Sequence, residues 1–211
     1  MKSDIKIEAF KNSPALDGYH CQTNSLSKIF HFYGNPLSED MLLGLGAGMG
    51  FIYWHQKGMY PFVGARGNNK DFFNDIGKRT SVKIEIRSTA SEKKAEEALL
   101  AKMEQKEPVM VFGDMGYLPW FDFPKGYHFG GHTFVVCGYD GKDNLLTSDM
   151  DPKATGPKKG FYSSITLEQL RKARSSKYKP FPPKNTYLEF DFKKFRFPGK
   201  SEIYSAIRQN M

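Results

Sequence analysis

Leu26, Ile29, Phe30 and Tyr33 stand at i, i+3, i+4 and i+7, the spacing of one buried face on an amphipathic helix. Pro14 and Gly18 upstream supply a turn that delivers the chain into that helix, and Gly34-Asn35-Pro36 ends it. Cys21 therefore falls in or beside the first turn. Unpaired backbone N–H groups and the positive end of the helix dipole stabilise a thiolate there. A small, buried, inert cysteine is the commoner occupant of such a place. The distinction rests on what the rest of the chain supplies.

Taken in order, Ile5 and Ile7 alternate with polar residues as a short opening strand. Ser38, followed by Glu39 and Asp40, caps a second helix through Leu43. The run Gly44-Leu45-Gly46-Ala47-Gly48-Met49-Gly50 matches neither dinucleotide nor P-loop spacing, and no strand precedes it. Its glycines suit a backbone that approaches something closely, a ligand or another segment, and Gly48 and Gly50 are the candidates for contact with substrate. Residues 51–55 predict a strand, 69–78 a helix, and Val82, Ile84 and Ile86 a second strand. Ser91 caps a helix to Gln105 with Ala95, Ala98, Leu99 and Met103 inward, and residues 108–112 form a buried strand. The stretch from Asp114 to Gly131, rich in glycine, proline and aromatics, predicts a functional loop. Residues 133–139 are the strongest strand. Asp140-Gly141 turns it into a hairpin with 144–148. A helix capped by Thr166, a strand over 187–192 and a helix from Ser201 to the last residues complete the reading.

Composition narrows the class. Aromatics make up 15% and apolar residues 39% of 211, enough for a packed core. No window approaches the roughly 18 apolar residues of a membrane span, and the first residues lack the apolar stretch of a signal peptide. Two cysteines build no disulfide framework, so a reducing cytoplasm is expected. Residues 1–152 carry 17 Lys and Arg against 19 Asp and Glu, whereas 153–211 carry 14 against 4. The last third thus holds the whole +8 excess, which suits either an acidic partner or a solvated face.

Helix first and antiparallel strands after is the order of an α+β, papain-like cysteine proteinase fold. There an N-terminal nucleophile helix packs on the sheet, a histidine heads an inner strand and a polar residue on the next strand orients it. His132 opens the strongest strand. A hairpin turning near 140–142 sets His132 against Asp149, which favours Asp149 over Asp151 as its partner. Cys137 lies roughly 16 Å along the strand from His132. Disulfides need Cα atoms within about 7 Å, so a Cys21–His132 pair and a Cys21–Cys137 bond exclude each other. Cys137 reads as a packing residue.

The motifs Gly18-Tyr19-His20-Cys21-Gln22-Thr23-Asn24-Ser25, Pro36-Leu37-Ser38-Glu39 and residues 43–51 are followed by residues 129–140 and Thr147-Ser148-Asp149-Met150-Asp151. In that order the sequence resembles the N-terminal domain of butirosin biosynthesis protein H and its relatives, over about residues 12–175. The resemblance implies a papain-like fold related to the C39 bacteriocin-processing peptidases. It also implies acyl transfer through a cysteine thioester, with Cys21 as nucleophile, His132 as base and Asp149 as orienting acid. The implied partners are an acyl carrier protein or other acyl-thioester donor and a small amine acceptor, with no cofactor and no metal. Papain-like peptidases place an oxyanion-hole glutamine six residues before the cysteine, where this chain has Ala15. The Cys21 N–H is then the first donor, and the side chains of Gln22 and Asn24 are candidates for the second.

The expected function is a cysteine acyltransferase. A hydrolase of the same fold and a non-catalytic binding module with a basic surface stand as alternatives, with nucleic acid the less favoured partner. Residues 1–200 are expected to form the papain-like domain and 201–211 to open a further helical region. The clusters Lys158-Lys159, Arg171-Lys172-Arg174 and Lys193-Lys194-Arg196 are the candidate surface for an acidic carrier, Arg171, Lys172 and Arg174 being presented from the Thr166-capped helix.

Overall fold

The computed structural model describes residues 7–55, 57, 61–67, 70–151 and 158–211. Its elements are α1 (Cys21–Phe32), α2 (Glu39–Leu45), β1 (Met49–Trp54), β2 (Phe62–Arg66), α3 (Phe72–Thr80), β3 (Lys83–Arg87) and α4 (Glu92–Glu104). They continue with β4 (Val109–Gly113), β5 (His132–Tyr139), β6 (Asn144–Met150), β7 (Gly160–Thr166), α5 (Leu167–Ser175), β8 (Tyr187–Asp191) and α6 (Lys200–Asn210). Of the expected opening strand, Ile5 lies outside the described residues, and Ile7–Phe10 take no regular form. Asn69 also lies outside them; its helix begins at Phe72. β2 and β7 had not been expected. In β7 the apolar alternation is broken by Ser163 and Ser164, and pairing along the whole of β6 makes it a strand.

Helices packed against an antiparallel sheet make this an α+β fold. Six strands run in the order β3-β8-β4-β5-β6-β7, and β8–β4, β4–β5, β5–β6 and β6–β7 pair antiparallel. The chain divides into two compact units: residues 1–36 with 86–189, and 37–85 with 190–211. In the first, α1 packs on β5 and β4. Residues 23–30 of α1 are all buried, so the helix is a central element with more than the one buried face its periodicity suggested. A core of Leu99, Met103, Val111, Phe134, Val136 and Leu170 joins α4, α5 and the sheet. Helix starts follow the sequence: Ser91 Oγ accepts from Lys94 N, and Thr166 with Gln169 forms a capping box.

In the second unit, α2, α3 and α6 accompany the β1–β2 hairpin. The glycine run lies here. A Cβ at Gly46 or at Gly48 would strike the Phe72 ring, so these glycines admit a neighbouring segment. Among the described residues no helix is long and apolar enough to cross a membrane.

Candidate active site

Cys21 is the first residue of α1, and its N-cap, His20, makes no side-chain capping hydrogen bond. The backbone entering the helix is held from several sides. Asn24 Nδ2 donates to Leu16 O and Asp17 O at 3.1 Å each, Ser148 Oγ donates to Pro14 O, and Tyr162 OH donates to Ser13 O. Gly18 and Lys158 exchange both backbone hydrogen bonds, at 2.8 and 2.7 Å. Pre-organisation of this kind fixes where the thiol sits before anything binds.

His132 heads β5 and is buried, as is Asp149 on β6. His132 Nε2 lies 2.7 Å from Asp149 Oδ2, and Cys21 lies near enough to the ring for each to act on the other's ionisation. The pairing is not the one expected from a turn at 140–142. Asp140 N donates to Asn144 O, which makes the turn longer, and the β5–β6 register shifts between Val136 and Gly138, a bulge at Cys137. Val135 faces Ser148, so continuing the ladder sets Asp149 opposite Phe134, diagonally across from His132. Positions 132, 134 and 136, before the bulge, share a face, and a diagonal neighbour remains within reach of a long side chain.

Burial alone would raise the Cys21 thiol. The hydrogen bond and charge of His132 outweigh it, with the Thr133 backbone and side chain adding to them, and the thiol is held below its usual 9.0. Burial likewise works against a charged His132, but Asp149 beside it, joined by Cys21, pushes the imidazole up to about 10. Each member favours the charged form of the other, which is the condition for a thiolate–imidazolium pair.

Two contributors carried no signature in the sequence. Thr133, whose backbone and side chain help hold the Cys21 thiol down, accepts from Ser25 Oγ at 3.4 Å, which ties helix and strand together. Trp120 Nε1 donates to the same Asp149 oxygen that faces His132, at 2.9 Å. Trp120 comes from the loop between β4 and β5, whose length and aromatic content were the only pointer to it. Asp114, buried at the loop's start, fastens its two ends. Its Oδ1 accepts from Gly116 N and Phe129 N, its Oδ2 accepts from Ser176 Oγ, and His128 Nδ1 lies 2.9 Å from Oδ2.

The remaining candidates are dispersed. Gln22 follows Cys21 on α1, and its Oε1 is buried without a hydrogen-bond partner among the described residues. The Asn24 amide is engaged with the loop before Cys21. Asp151 N donates to Lys159 O beyond the end of β6. Gly48 and Gly50 belong to the second unit. Cys137 is free and fully buried, with burial pushing its thiol up to about 12. The Arg171 cluster is not the open basic surface its spacing suggested. Arg174 is buried against the carbonyls of Ala95 and Asn185, Arg171 is paired with Glu96, and Lys172 with Glu168. Among the described residues no group of three or more His, Cys, Asp or Glu could hold a metal ion.

The sequence model described as Butirosin biosynthesis protein H, N-terminal, matches residues 20–150, more than half of the chain and a span that contains Cys21, His132 and Asp149. No curated protein matches the chain.

Proposed function

The chain belongs to the butirosin biosynthesis protein H N-terminal family, and from that premise we propose that it is a cysteine acyltransferase of papain-like arrangement. It would carry an acyl group from a thioester donor to an amine, with Cys21, His132 and Asp149 as nucleophile, base and orienting acid. The observation that supports this reading most is that His132, 2.7 Å from Asp149, is near enough to Cys21 for each to favour the charged form of the other, all three within one compact unit.

In this reading Asp149 accepts the Nε2–H of His132 and so leaves Nδ1 for Cys21. The thiolate attacks the donor carbonyl and forms the Cys21 C–S bond. The donor's own C–S bond then breaks, and the departing thiolate takes the proton held by His132. The oxyanion formed on the way would be met by the Cys21 N–H at the open start of α1, with Gln22 as candidate for a second donor, since the Asn24 amide is engaged with Leu16 O and Asp17 O. Each such donor is worth on the order of 10²- to 10³-fold in rate. The amine then attacks the acyl-enzyme, gives its proton to His132 and releases Cys21 as thiolate. The donor is an acyl carrier or a similar thioester, and the acceptor a small amine.

Incubation with small acyl thioesters followed by intact-mass measurement tests this. An acyl adduct on Cys21 that an added amine discharges as an amide is the expected result. Discharge by water alone would replace transfer with hydrolysis, and no adduct from any donor would overturn the enzyme reading.

A further inference from the structure

The loop between β4 and β5 does more than deliver Trp120. Phe121 meets the His132 ring edge-on, with centroids 5.2 Å apart. Phe123 stacks on Phe121 at 5.3 Å and 11°, and Tyr127 stacks on Phe123 at 4.3 Å and 29°. Three rings thus form a continuous ladder leading outward from the histidine. Its outer members remain open: Phe123 is 36% and Tyr127 38% exposed. The ladder is also rigidly mounted. Tyr127 N donates to Pro124 O in a turn completed by Gly126 at φ +88°, and Gly116 leaves no space for a Cβ beneath Tyr127 O. Asp114 closes the loop's two ends below it. Exposed aromatics held this firmly and continuous with a buried imidazole make a surface for a ligand more than a share of the core.

Resting on the acyltransferase reading, we propose that the Phe121–Phe123–Tyr127 ladder is the acceptor subsite, and that it selects amines carrying a flat apolar group. The assignment to the acceptor follows from proton traffic. The acyl carbon is bonded to Cys21, whereas the group that exchanges a proton with His132 is first the departing thiol and then the incoming amine. The ladder touches His132, so its occupant is the proton-exchanging partner. As the amine nitrogen forms its bond to the acyl carbon, the C–S bond to Cys21 breaks. The amine proton passes to His132, the electron pair stays on Sγ, and the thiolate–imidazolium pair is restored.

The test compares 2-phenylethylamine with ethanolamine, primary amines of similar basicity, on one acyl-enzyme formed from an acetyl thioester. The quantity read is the ratio of their amide-forming rates, which does not depend on how much acyl-enzyme is present. The unaltered chain should favour the aromatic amine by about tenfold or more. Phe123→Ala and Phe123→Leu should bring the ratio to within about threefold of unity, while Tyr127→Phe should keep it. No preference in the unaltered chain, or one that survives both Phe123 variants, would overturn the subsite. An acyl-enzyme that only hydrolyses would overturn it too, while leaving Cys21 as nucleophile. Failure to form any acyl-enzyme would instead remove the acyltransferase reading, and this inference with it.

Discussion

His132 and Asp149 meet diagonally across one antiparallel strand pair, at 2.7 Å, and the bulge at Cys137 helps set that register. The bulge adds one residue to β5 beyond Val136, and the turn after Tyr139 is longer than two residues. The two shifts oppose each other, and together they carry Asp149 one pair along from the histidine, on the same face of the sheet. Trp120 binds the same carboxylate oxygen, and Oδ1 accepts from Met150 N, so the carboxylate is held at both oxygens.

The two thiols should separate by reactivity. At neutral pH a small alkylating agent should modify Cys21 and spare Cys137, whose thiol is buried and pushed up to about 12. Cys21→Ala should abolish acyl-adduct formation, while Cys137→Ser should keep at least part of it. Peptide mapping of the labelled chain and intact mass with a thioester donor measure both; equal loss from the two substitutions would remove Cys21 from its role.

Substitution of Asp149 should cost far more than substitution of Asp151. Asp149→Asn is expected to lower kcat/KM by on the order of 10²- to 10⁴-fold, because a neutral amide neither holds the imidazole tautomer nor stabilises the imidazolium. The carboxylate against the His132 ring is that of Asp149, so Asp151→Asn should change kcat/KM by less than about tenfold. Trp120→Phe, which leaves the Asp149 oxygen one donor short, should fall between them.

The pH dependence of acylation should be a bell. Activity needs Cys21 as thiolate and His132 as imidazolium, so it rises as the thiol ionises, below its usual 9.0, and falls as His132 loses its proton towards about 10. Removing the Asp149 charge withdraws the main support of the imidazolium, so in Asp149→Asn the alkaline limb should move to lower pH. A limb that stays in place would show that Asp149 does not set the charge on His132.

Carrier docking, if the donor is carrier-bound, should run through Lys158 and Lys159. The backbone of Lys158 is bonded to Gly18, three residues before Cys21, whereas Arg171 and Lys172 are paired and Arg174 is buried. Lys158→Glu with Lys159→Glu should lower the rate from an acidic carrier several-fold more than the rate from a small thioester. The difference should shrink as salt shortens the Debye length from about 8 Å. Rates followed against ionic strength for both donors give the answer.

Asp114 should matter to stability more than any other residue of the loop. Asp114→Ala removes the acceptor of Gly116 N, Phe129 N and the buried Ser176 Oγ, and a buried donor left unpaired costs about 1–3 kcal/mol. A loss of about 2–3 kcal/mol is expected in urea unfolding. Ser176→Ala, which removes one donor and leaves Asp114 its others, should cost about 1 kcal/mol.

Local chemistry made much of this protein readable in one dimension. The helix at Cys21, the caps at Ser38, Ser91 and Thr166 and the apolar runs of β4 and β5 follow from nearest-neighbour sterics and hydrogen bonding, which act over a few residues. That His132 and Asp149 lie on adjacent strands was legible because a turn signal separates two apolar runs. Their register was not, since turn length and a bulge each shift it by whole residues and leave no mark in the apolar pattern. Nor was the burial of α1 on every side, because periodicity reports one face and the strands packed on the helix, β4 and β5, come from far along the chain. The Arg171 cluster misled for a related reason: charge in a sequence is counted without its partners, and Glu96 pairs with Arg171 from another helix. Thr133 beside the Cys21 thiol, Trp120 on Asp149 and Phe121 on His132 were decided by tertiary structure alone. Such contacts depend on where distant segments are carried when the core closes, and residue type alone does not encode that position.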